Sequence, residues 1–84
     1  MFKVSITSRA ERELKRLDQP VRNRIIIALS ALASELRPAG CLKVKSEENV
    51  WRIRVGDWRV GYQVDDNNSE VVVVRIAHRS DFYE

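Results

Sequence analysis

Residues 50–64 read VWRIRVGDWRVGYQV, two alternating runs joined by a single Gly-Asp step. This feature constrains the fold most. Strict alternation over six or more residues is the period of a strand with one buried face. A two-residue loop with Gly first is what a type II′ hairpin turn prefers. Counting outward from Gly56 and Asp57, Val55 pairs with Trp58, Arg54 with Arg59, Ile53 with Val60, Arg52 with Gly61 and Trp51 with Tyr62. One face then carries Trp51, Ile53, Val55, Trp58, Val60, Tyr62 and Val64, and must be covered. The other carries Arg52, Arg54, Arg59, Gly61 and Gln63.

The rest of the chain supplies the cover. FKVSIT alternates Phe2, Val4 and Ile6 against Lys3, Ser5 and Thr7, predicting a first strand. The period then changes. Ser8 and Glu11 have capping-box spacing, and Ala10, Leu14 and Leu17 form the stripe of a short helix. Asp18 caps a second helix with Pro20 in its first turn, and Val21, Ile25, Ala28, Leu29, Leu32 and Leu36 recur at helical spacing. Arg37–Gly40, RPAG, breaks it. After the hairpin, DDNNSE is a polar turn into the valine-rich run EVVVVRIAHR, which belongs in the sheet interior. The expected order is β-α-α-β-β-β: one α+β domain over residues 1–84, a helical hairpin on one face of a mainly antiparallel four-stranded sheet.

Composition narrows the function. Eleven of the 15 cations are arginine and the net charge is +3. A guanidinium offers a planar fork of donors that matches phosphate oxygens bidentately. Cys41 is the only cysteine and His78 the only histidine, too few for an internal disulfide or the usual zinc ligand set. No Gly-rich phosphate loop or nucleophile elbow is present, so neither cofactor nor metal is expected. The longest apolar run, Ile25–Leu29, spans five residues, far short of a membrane crossing, and no signal peptide is expected ahead of the first strand. These features fit a cytoplasmic domain.

The uncovered face of the hairpin is the candidate site. Arg54 directly opposite Arg59 is a like-charge pair, which destabilises a sheet unless something relieves it. Two readings stand: a solvated face, or a surface that binds an anion, with Gly61 leaving room for a ligand to approach the backbone. The C-terminal RIAHRSDFYE adds Arg75 and Arg79 on one side of the last strand, His78 on the other, and Tyr83 just beyond. Aromatic rings beside guanidiniums suit RNA, whose bases stack on both. Packing of Phe82 and Tyr83 onto the domain is the alternative.

With the element order, the WRIRVGDWRVGYQV block at Trp51–Val64 and VVVVRIAHRSDFY at Val71–Tyr83, nearly the whole chain resembles the RelE/ParE superfamily of toxins from bacterial toxin–antitoxin modules. RelE-type members are ribosome-dependent mRNA endonucleases that cut in the ribosomal A site. The resemblance implies that Arg54, Arg59, Arg79 and Tyr83 form the active site with Arg52 beside them; Arg52 is expected to anchor the RNA backbone, helped by Lys43, Lys45 and His78. It also implies a RelB-like antitoxin, hence a toxin–antitoxin hetero-oligomer, with the ribosome and mRNA as further partners. The superfamily's other branch, ParE-like inhibitors of DNA gyrase, shares the fold without cutting RNA. In well-studied RelE enzymes lysines stand where this chain has Arg52 and Arg54, and their last arginine and tyrosine lie two residues further apart. An arginine stays protonated throughout the physiological range and is no general base. The implied proton acceptor is Tyr83, His78 or a ribosomal RNA group.

Overall fold

A computed structural model of the chain describes residues 2–38, 40–44 and 49–82. The elements are β1 (Lys3–Ile6), α1 (Ser8–Lys15), α2 (Gln19–Ala31), β2 (Leu42–Lys43), β3 (Val50–Val55), β4 (Trp58–Asp65) and β5 (Glu70–His78). The strands form one sheet in the order β1-β5-β4-β3-β2. β1 runs parallel to β5 and the other neighbours are antiparallel. The α+β class and the helix pair on a mainly antiparallel sheet agree with the sequence pattern. The sheet has five strands where four were expected, because Leu42 and Lys43 add a two-residue edge strand opposite Arg52 and Trp51.

Local chemistry sets the helix ends. Thr7, one residue earlier than the Ser8 cap expected, is the N-cap of α1, and its hydroxyl accepts from the Ala10 N–H at 3.2 Å. Glu11–Lys15 and Arg9–Glu13 pairs, four residues apart, support the helix. α2 starts after Asp18, which makes no side-chain capping bond, with Pro20 in the first turn. It ends at Ala31, well before Leu36. The carbonyls of Ala33 and Leu36 are taken instead by the Phe2 N–H and the Tyr62 hydroxyl, partners the helix could not reach while satisfying itself.

Ala10, Ile25, Leu29 and Leu32 from the helical segments pack on Ile53, Val60, Tyr62, Val64, Val71, Val73 and Ile76 from the sheet. Each buried branched side chain contributes about 1.5–3 kcal/mol of transfer free energy. On β5 the alternation breaks once. Tyr62 pairs with Val73 but Gly61 pairs with Arg75, so Val74 is a bulged residue. The bulge inverts parity, keeping Val71, Val73 and Ile76 on the helix side and turning Arg75 and Ala77 to the other. That face holds a second, smaller core of Val44, Val50, Ala77 and Phe82, with Val74 against it.

Candidate nucleic-acid interface

The hairpin register agrees pair for pair with the count from the sequence: Val55–Trp58, Arg54–Arg59, Ile53–Val60, Arg52–Gly61 and Trp51–Tyr62. Gly56 has φ 61° while Asp57 is not in the positive-φ region, the pattern of a type II′ turn. Beside Gly56 lies the far end of a long, exposed side chain. A Cβ there would lie 3.1 Å from Nη2 of Arg24, which reaches across from α2. No spacing in the sequence joins residue 24 to residue 56, so Arg24 could not be read as part of this site in advance.

Arg54 is exposed and makes no hydrogen bond or ion pair among the described residues. Arg59, opposite it, is 9% exposed, and its Nη1 donates to the carbonyls of Gly56 and Trp58, each at 3.1 Å. The like-charge pair is therefore relieved in part from within. Carbonyl oxygens of the turn take the Arg59 guanidinium, and Arg54 extends into solvent. Arg79 arrives from the turn after β5. Its N–H donates to the Asp57 carbonyl at 2.8 Å, and its Nε lies 3.9 Å from Asp57 Oδ1. Arg24, Arg54, Arg59 and Arg79 thus gather around one two-residue turn from α2, β3, β4 and the C-terminal segment. Arg52 lies one row further along the same face, half-buried beside Gly61.

Other expected site residues fall elsewhere. His78 pairs with Trp58 on the helix-covered face, the two rings in an edge contact at 5.5 Å and 88°. Its Nδ1 is 2.9 Å from Ser80 Oγ and receives the Ser80 N–H at 3.3 Å. Lys43 lies opposite Trp51, so it shares the tryptophan face and not that of Arg52. Tyr83 and Lys45 lie outside the described residues. Gly61 is not open to a ligand: the ring of Phe82 occupies the space above it, and a Cβ would come within 3.0 Å of Phe82 Cζ. Arg75, which the sequence set beside Arg79 on one side of the last strand, instead donates from Nη2 to the Asp81 carbonyl at 2.9 Å. Its Nε is 3.9 Å from Glu13 Oε2. Among the described residues no group of three His, Cys, Asp or Glu side chains converges on a metal position. No helix there is long and apolar enough to cross a membrane.

Chemically, guanidiniums brought to one turn offer planar forks of donors of the kind that match phosphate oxygens. A family model for the ParE toxin of type II toxin–antitoxin systems (parDE) matches residues 4–83. Among curated proteins, the chain is 28% identical to Toxin RelG of Mycobacterium tuberculosis over 83 residues, covering 98% of this chain and 95% of that protein. Toxin RelE of the same organism is 30% identical over 83 residues, covering 98% and 86%. The archaeal RelE of the RelE–RelB complex from Pyrococcus horikoshii superposes with a TM-score of 0.83 at 21% identity, covering 95% of this chain and 97% of that one. The chain belongs to the RelE/ParE superfamily of type II toxin–antitoxin toxins.

Proposed function

We propose that this toxin is a ribosome-dependent, metal-independent mRNA endonuclease of the RelE kind, acting in the cytoplasm at the ribosomal A site and neutralised by a RelB-like antitoxin in a hetero-oligomer. The observation that carries the reading is the gathering of Arg54, Arg59 and Arg79 at the Gly56-Asp57 turn. The RelE and RelG names of the curated relatives support it. In the reaction a ribose 2′-oxygen attacks the adjacent phosphorus, the bond to the 5′-oxygen breaks, and a 2′,3′-cyclic phosphate and a 5′-hydroxyl result. Arg79 and Arg54 stabilise charge on the phosphoryl oxygens, each such contact being worth about 3–4 kcal/mol in the transition state. Arg59 holds the turn that presents them. Arg52 anchors the backbone further along the strand. No arginine takes the 2′-proton, and His78 lies across the sheet, which leaves Tyr83 or a ribosomal RNA group as acceptor.

Primer extension on a message in a reconstituted translation system tests the reading. Wild type yields cuts positioned by codon, and Arg79→Ala and Arg54→Ala each lower the cutting rate by about 10²–10³-fold while remaining folded. If both variants fold and cut at the wild-type rate, the site is wrong. The ParE family match favours a second reading, inhibition of DNA gyrase. Loss of gyrase supercoiling activity with purified toxin, together with intact messages, would establish that reading in place of the first.

A further inference from the structure

The segment that delivers Arg79 is fastened at several points, and the fastening centres on a glycine whose conformation does not require one. Gly61 has no positive φ. Its lack of a side chain matters for space: a Cβ would stand 3.0 Å from Phe82 Cζ, 3.3 Å from Phe82 Cε1 and 3.8 Å from Arg75 Cβ. The ring of Phe82, 7% exposed, fills that notch against Val44, Val50 and Ala77. Arg75 lies over the ring at 5.9 Å and donates to the Asp81 carbonyl, while Glu13 stands behind it. The turn itself is stiff, because the N–H groups of Asp81 and Phe82 both donate to the His78 carbonyl. A displacement of the ring would therefore be passed back along the turn toward Arg79.

We propose that Gly61, Phe82 and Arg75 form a latch that holds the C-terminal turn on the sheet and so places Arg79 beside Arg54 and Arg59, making Gly61 a positioning residue for RNA cleavage. This rests on the nuclease reading for its consequence, though not for its geometry. The β5 bulge is part of the device, since without it Arg75 would point into the helix-covered core.

The test uses the full chain as wild type, Gly61→Ala, Phe82→Leu and the double variant Gly61→Ala/Phe82→Leu. Leucine lacks the Cζ and Cε1 atoms that the new methyl would strike. Amide hydrogen exchange at Arg79, whose N–H is bonded to the Asp57 carbonyl, reads the latch directly, and primer extension reads cutting. Gly61→Ala is expected to lose protection at Arg79 while the β4 amides stay protected, and to cut about a hundredfold more slowly, the scale of a misplacement near 1 Å. The double variant is expected to regain both, matching Phe82→Leu alone. Retained Arg79 protection in Gly61→Ala overturns the latch. So does a double variant that stays as exposed at Arg79 as Gly61→Ala while Phe82→Leu remains protected. If wild type cuts no message yet the exchange pattern follows the prediction, the nuclease reading fails and the latch stands.

Discussion

Tyr62 shows how one residue can serve the fold while sitting among candidate site residues. It belongs to the hairpin that carries the arginines, yet it points the other way, fully buried, and its hydroxyl donates to the Leu36 carbonyl. Burial, and after it the nearby Cys41 thiol, pushes the phenol well above its ordinary value of 10.0. The folded value being the higher one, this contribution is fully present below pH 10 and is lost as pH rises beyond it. Chemical denaturation across pH 8–11 should therefore show the wild type losing stability above about pH 10. Tyr62→Phe should be less stable at neutral pH by about 1–3 kcal/mol, because the Leu36 carbonyl is left without its donor, and should lack the alkaline decline. The residue was legible as core from alternation alone. Its partner, 26 positions away in sequence, was not.

At the level of elements, the free edge of β5 explains why Glu13 occupies its place on α1. β1 pairs with β5 only as far as Val73, and Thr7 N–H closes that ladder on the Val73 carbonyl. Beyond it, the Ile76 N–H would face outward from the sheet, and Glu13 Oε1 accepts it at 2.8 Å. The other carboxylate oxygen lies 3.5 Å from Arg9 Nε and 3.9 Å from Arg75 Nε. Glu13→Ala should destabilise by about 1–3 kcal/mol through the orphaned N–H. Glu13→Gln, which keeps an acceptor, should cost clearly less, as urea denaturation would show. Equal losses would mean that the ion pairs and not the strand edge need this carboxylate. The sequence marked α1 and its apolar stripe. Glu13's task was hidden there, since an i,i+4 pairing with Arg9 is already enough to place a glutamate on a helix.

Over the whole molecule, the charge is modest but unevenly placed. A net +3 would draw RNA weakly; under the proposed nuclease function the grip would be local, from Arg24, Arg54, Arg59 and Arg79 around one turn. Binding of the toxin to a short single-stranded RNA should weaken with salt, with a log–log slope near −2 to −3 if about three or four phosphates are engaged. Arg24→Ala should flatten that slope by about 0.7, the share of one contact on a single strand. Fluorescence anisotropy between low and physiological salt would measure it, and an unchanged slope would remove Arg24 from the interface.

The sequence by itself determined the hairpin register, the two-faced division into tryptophans and arginines, and the α+β order of elements apart from the short β2. Each follows from local periodicity or turn chemistry, which act between residues close along the chain. The tertiary structure alone decided where Arg24, Arg75 and Phe82 lie, the bulge at Val74, and the second small core. A run of four valines carries no alternation from which a bulge could be read, and contacts such as Gly61 with Phe82 depend on how separate elements pack. The face that looked open in the sequence is partly closed in the fold because an apolar ring near the C-terminus gains more from Gly61, Val50 and Ala77 than from water.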